Sequence, residues 1–319
     1  FRQHVAVPER TILHGQSWGA GVAAKAAEMF TQATVGEKPY DGVLLTAGVL
    51  AGGTRSYDFR TDLRVLYQHL CNNHPRPSEP QYPLNIGLPG GMKMTSADVA
   101  ARVNECLALN KPAAERTPEQ QAKVRTIENV IRIPASSIQA HLSWGTFHFQ
   151  DVVARRTGGA SPFGNTGAVY SGSADDAALN AAVLRYRADP VAVERLAYDT
   201  DPGGAIPVPV LTAKWIGDPT AFVELDAYFK TVMERAGTAD RLVQTFTTKG
   251  TSHSYISDVT YPVLVASLLL WVEQGVKPTP GSVATACPLF EPAFGAGCSF
   301  APDYVPQPLE KRVAARTRP

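Results

Sequence analysis

One five-residue stretch constrains this chain more than any other: Gly15-Gln16-Ser17-Trp18-Gly19. Ahead of it, Arg10 to Leu13 reads as a short strand. Behind it, Val22 to Phe30 is Ala-rich and free of breakers, which predicts a helix. A G-x-S-x-G sequence between a strand and a helix places its serine on a sharp, strained turn. Side chains two positions before or after that serine would collide with the neighbouring strand and helix, hence the glycines. The turn exposes the Ser17 hydroxyl at the carboxyl edge of a sheet. It also aims the Trp18 amide, at the helix N-terminus, toward an oxyanion formed on an attacked carbonyl. Within Tyr40 to Ala47, Gly42-Val43-Leu44-Leu45 is a continuous apolar run of buried-strand length. Strand, helix, strand at this spacing is a βαβ unit, so the fold class is α/β, with a parallel sheet covered on both faces.

From Asp58 to about Asp199 the texture changes. Short helical patterns (Asp62 to Leu70, Ser96 to Leu109, Pro118 to Ile131, Ser143 to Arg156, Asp175 to Tyr186, Pro190 to Tyr198) alternate with Pro-rich and Gly-rich connections. Strand signals are weak there, which predicts a mostly helical cap inserted into the sheet domain. The alternation then resumes with a strand over Val208 to Trp215 and an amphipathic helix over Thr220 to Ala236, ended by Gly237. A strand over Leu242 to Thr247 precedes a helix over Tyr261 to Glu273, with Asp258 or Thr260 as its N-cap. The expected domains are therefore a sheet core over 1–57 and 205–276, a cap over 58–204, and a Pro-, Gly- and Arg-rich surface tail over 277–319.

A serine hydroxyl is a weak nucleophile at neutral pH and needs a base, which in turn needs an orienting acid. His253 lies in a loop after the strand Leu242 to Thr247, where the base belongs. Asp218 follows the strand Val208 to Trp215 and precedes a helix, where the acid belongs. Read without Ser17, His253 is a solvated loop histidine and Asp218 a helix N-cap. In the cap, Trp144, Phe147, His148, Phe149 and Tyr170 are the expected acyl-binding wall, although such residues equally build cores.

These residues resemble the α/β-hydrolases over two stretches, Arg10 to Ala47 and Val208 to Glu273. The resemblance rests on the elbow, Asp218 and His253, and within that superfamily it is nearest to secreted carboxylesterases with a large helical cap. It implies a serine hydrolase cleaving carboxylic esters through an acyl-enzyme, with catalytic Ser17, Asp218 and His253, the Trp18 amide as oxyanion donor, and neither metal nor organic cofactor. A serine peptidase of the same fold, or a binding or scaffold member that has lost catalysis, would share these features. The family places strands before the elbow, and a loop after one of them gives the second oxyanion amide. Gly15 stands near the start of this sequence, so the expectation is a missing or separate N-terminal segment that completes the sheet, with a permuted fold as the alternative.

Composition narrows the partners. Thirty basic and twenty-nine acidic side chains leave a net charge of +1, without the basic surplus that nucleic-acid binding requires. The longest apolar run, Val263 to Val272, is too short to span a bilayer. Cys71, Cys106, Cys287 and Cys298 have no zinc-like spacing, and pairing Cys71–Cys106 and Cys287–Cys298 would close two local loops. Two bridges imply an oxidising compartment, hence a secreted or periplasmic protein; four buried free thiols are the alternative.

Overall fold

The computed structural model describes residues 4–33, 39–250 and 252–319. The chain forms two compact units, Phe1–Gly52 with Asp199–Leu309, and Gly53–Tyr198 with Glu310–Pro319.

The first unit opens with β1 (Ile12–Gln16), α1 (Trp18–Ala33) and β2 (Gly42–Thr46). The helix begins at Trp18, directly after the elbow serine, rather than at Val22. The chain then builds the second unit, with α2 (Asp58–Cys71), α3 (Ser96–Leu107), α4 (Pro118–Ile131), α5 (Ala135–Asp151), α6 (Asp176–Ala182) and α7 (Pro190–Thr200), the last of which ends just across the unit boundary. Capping boxes start α3 (Thr95 with Asp98) and α4 (Thr117 with Gln120, and Pro118 at the first turn). α5 begins at Ala135, after Pro134, and Ser143 is interior to it; its end widens into a π-helical turn over Val152–Arg156. In this unit α2 packs against α4 and α5, and Phe149, Phe163 and Leu196 form a buried cluster.

The first unit resumes with β3 (Val210–Trp215), α8 (Glu224–Arg235), β4 (Leu242–Thr247), α9 (Thr260–Gln274) and α10 (Pro280–Phe294). The four strands form one parallel sheet in the order β1-β2-β3-β4. Both faces are covered. Val43, Leu45 and Val210 pack with Ala20, Ala24 and Ala27 of α1 and Phe229 and Met233 of α8. Leu44, Leu211 and Val243 pack with Val263, Leu264 and Leu268 of α9 and Val283 of α10. Two-sided burial is what the unbroken apolar runs of β2 and β3 require.

Two expectations are corrected. The first turn of α9 is not capped by a side chain of Asp258 or Thr260: Val259 occupies the N-cap and Thr260 is the first helical residue. The stretch 277–319 is not a plain surface tail. Thr279 and Ser282 form a capping box with Pro280 at the first turn, which starts a fifteen-residue helix, and Val283 and Cys287 are buried. Beyond α10, the Thr248 amide donates to Ser299 O and the Ala301 amide to Phe246 O, both at 2.8 Å, so this segment pairs along the outer edge of β4. The last ten residues belong to the second unit, where the Arg316 guanidinium donates to Asp62 at 2.6 Å and Arg318 pairs with Asp58.

The cysteines pair as Cys71–Cys106 in the second unit and Cys287–Cys298 in the first, with Cα separations of 5.7 and 6.1 Å. Among the described residues no helix is long and apolar enough to cross a membrane.

Candidate active site

Three loops at the carboxyl ends of β1, β3 and β4 bring the site together. Ser17 follows β1 and holds a φ of +58°, a left-handed conformation that costs a non-glycine residue on the order of 1–3 kcal/mol. β2 and the segment after it brace the turn. The Ser17 amide donates to Thr46 O and the Val49 amide donates to Ser17 O, both at 3.0 Å.

The reason for the flanking glycines differs from the sequence expectation. A Cβ on Gly15 would lie 2.2 Å from Gly19 O and 2.7 Å from Ala20 Cα, inside the first turn of α1. A Cβ on Gly19 would meet nothing within 4 Å. The steric requirement therefore falls on Gly15 alone, and what it clears is the backbone of the helix that follows the elbow.

Asp218 follows β3. One of its carboxylate oxygens accepts from the Thr220 and Ala221 amides at 2.8 and 2.9 Å, which fixes the side chain, and its side chain is 1% exposed. His253 follows β4, with 21% of its side chain exposed. Its Nδ1 lies 2.9 and 3.0 Å from the two Asp218 oxygens, and its Nε2 lies 2.6 Å from Ser17 Oγ. Asp218 thus holds its own loop and faces the imidazole, but it is not the helix N-cap that the sequence also offered: α8 starts at Glu224 with Val223 at its N-cap.

The sequence reading missed the groups that hold these loops. Gln16 donates its side-chain amide to Ser254 O at 2.6 Å and to Tyr261 Oη at 2.8 Å, and Tyr261 donates to Ser254 O at 3.0 Å. β1 and α9 thereby clamp the residue next to His253. Lys214, fully buried on β3, donates to Gly48 O at 2.7 Å and Phe222 O at 3.1 Å and pairs with Asp226. It ties the segment after β2 to the loop that carries Asp218. Burial raises the Asp226 carboxyl pKa, an effect the Lys214 charge opposes. A lysine inside the apolar strand VLTAKW was the available signal.

Of the expected cap residues, Trp144 and Phe147 are half-buried and His148 is exposed, stacked 5.2 Å from Trp144. Phe149 and Tyr170 do not form a wall for substrate. Phe149 is 1% exposed and stacks on Phe163 at 3.9 Å; Tyr170 is 3% exposed and donates to Asp62 at 2.7 Å. Both are core residues of the second unit. Among the described residues no group of three or more His, Cys, Asp or Glu side chains could hold a metal ion.

No protein-family model and no curated protein matches this chain. Among solved structures it is similar to feruloyl esterase B from Aspergillus oryzae, with 13% identity, 85% of this chain and 60% of that chain covered, and a TM-score of 0.44. An esterase from the same organism gives 14%, 85%, 60% and 0.44. Tannin acyl hydrolase from Aspergillus niger gives 13%, 85%, 57% and 0.34. The chain spans about 60% of the length of the first two. Likeness at this level carries no argument about activity. A parallel sheet with helices on both faces, and a serine at a positive-φ elbow between its first strand and helix, make the fold one of α/β-hydrolase type.

Proposed function

We propose that this protein is a serine hydrolase of carboxylic esters, with Ser17 as nucleophile, His253 as base and Asp218 as the orienting acid. The observation that carries the reading is the continuous path from Ser17 Oγ to His253 Nε2 at 2.6 Å and from His253 Nδ1 to Asp218 at 2.9 Å. An ionised carboxylate only accepts, so Asp218 places the imidazole proton on Nδ1. Nε2 is then left to accept the Ser17 proton. As Ser17 Oγ attacks the ester carbonyl, His253 takes that proton and then returns it to the departing alcohol, leaving an acyl-serine. A water activated by the same imidazole then hydrolyses that intermediate. The Trp18 amide, at the positive end of α1, stabilises the oxyanion. The outer edge of β1, where His14 and Gln16 are exposed, supports a further segment that completes the sheet and supplies the second oxyanion amide. The two cysteine pairs support a secreted or periplasmic location.

The test is turnover of a short-chain p-nitrophenyl ester together with labelling by a fluorophosphonate. Ser17→Ala should lose on the order of a million-fold in kcat. The label should map to Ser17 in the unaltered protein and vanish in the variant. Retention of more than a few per cent of the activity by Ser17→Ala would overturn the assignment.

A further inference from the structure

The second unit contains a charge with no counterpart. Arg60 on α2 is 2% exposed, its Nε is buried with no hydrogen-bond partner among the described residues, and no carboxylate acts on it. Aromatic rings surround it instead: its guanidinium carbon lies 4.4 Å from the Trp144 ring centre, 4.6 Å from Tyr57 and 4.7 Å from Phe59. One helical turn on, Arg64 is 1% exposed, donates to Gly145 O at 2.6 Å and has the Tyr82 hydroxyl beside it. A Cβ on Gly145 would fall 3.0 Å from Arg64 Cδ and 3.6 Å from Arg60 O, so the bare glycine lets α5 lie close on α2 and sets Trp144 over Arg60.

The acids of α2 are committed elsewhere, Asp58 and Asp62 to Arg316 and Arg318. No carboxylate acts on Arg60 or on Arg64. Burial pulls the Arg60 guanidinium down to about 10, which leaves it cationic at neutral pH. Buried charges are ordinarily paired, and a buried guanidinium whose Nε has no acceptor departs from that rule. Cation–π contacts cover the faces of the guanidinium but leave its N–H edges unserved.

We propose that Arg60 and the rings of Tyr57, Phe59 and Trp144 form a binding site for an aromatic carboxylate. The planar fork of a guanidinium takes a carboxylate through two parallel N–H···O bonds, and a phosphate or sulfate would not match the flat walls. The rings supply the surface against which a flat apolar body stacks. Tyr57 and Trp144 are the two members of the cage that retain exposure, so the ligand enters past them. This inference stands on the second unit alone and does not rest on ester hydrolysis.

The test is calorimetric titration of the full chain carrying Ser17→Ala with sodium benzoate, benzyl alcohol and inorganic phosphate. Benzoate should bind saturably, at least tenfold tighter than either of the other two. Arg60→Met should weaken benzoate at least tenfold, and Arg60→Lys, which keeps the charge but not the fork, should weaken it by less. Trp144→Ala should also weaken benzoate, which gives a second variant if Arg60→Met fails to fold. Equal binding of benzoate and benzyl alcohol, tighter binding of phosphate, or full benzoate affinity in folded Arg60→Met would each overturn the site. Because binding is read without turnover, loss of this site leaves the hydrolase reading standing, and an inactive protein that binds benzoate leaves the site standing.

Discussion

Thr146 Oγ1 donates to Leu142 O at 2.8 Å, so its 2.8 Å contact with His74 Nε2 needs the imidazole N–H as donor. That fixes the tautomer and leaves His74 Nδ1 as a bare acceptor, buried with no partner among the described residues. Protonating it would add a proton where nothing accepts it, in a side chain that is 3% exposed. Burial chiefly, and then the Arg64 and Arg102 charges, hold its pKa down at about 3 against 6.5 for a free imidazole. The unfolded chain therefore binds a proton that the folded chain refuses between these two values, and stability falls as pH drops through that window. On the order of 2–3 kcal/mol should be lost between pH 6.5 and pH 4.5 on this account. His74→Gln, which keeps an N–H donor and does not titrate, should remove that part of the acid sensitivity. The measurement is melting temperature against pH for both proteins, and parallel curves would exclude His74 as the cause.

The turn from β1 into α1 makes the sharpest element-scale prediction, because its two glycines part company. Gly15→Ala drives a Cβ into backbone atoms of Gly19 and Ala20, which cannot rotate away as a side-chain tip could. It should cost about 3 kcal/mol or more and displace Ser17. Gly19→Ala meets nothing and sits inside α1, so it should stabilise by about 0.5–1 kcal/mol through the helix preference for alanine. Melting curves of the two variants should move in opposite directions; a loss in Gly19→Ala comparable to that in Gly15→Ala would refute the asymmetry. The elbow itself was legible because its signals are local: a glycine, a strand before it, a helix after it, and the apolar run of strand length that starts at Gly42. Asp218 and His253 were legible because chain order and strand ends suffice to place them. Gln16, Tyr261, Lys214 and Arg60 were not. Gln16 meets Ser254 across 238 positions, and Lys214 meets Gly48 across 166, so their neighbours exist only once the sheet has formed. Phe149 and Tyr170 failed for the converse reason, since an aromatic in a helical stretch reads the same whether it faces a ligand or a core.

Each of the two units holds its own core and its own cystine, so the bridges can be read separately. Cys71–Cys106 joins α2 to α3 across 35 residues in the second unit, and Cys287–Cys298 ties α10 to the segment along β4 across 11 in the first. In the chain-entropy account, closing these loops in the unfolded state is worth about 4 and about 3 kcal/mol. Both are large against the 5–15 kcal/mol typical of a whole domain. The charge of Arg60 on α2 makes the second unit the more dependent, because its buried Nε has no acceptor inside it. Reduction should therefore loosen both units, and the second more. Hydrogen exchange separates them where a single melting temperature would not, since each amide reports its own unit. In the Cys71→Ser, Cys106→Ser protein, protection should fall in α2 through α5 and hold in β2, β3 and β4. In Cys287→Ser, Cys298→Ser it should fall in α10 and at the edge of β4. Equal loss across both units in either protein would mean that the two unfold as one cooperative body, and the separate ascription of the bridges would fail.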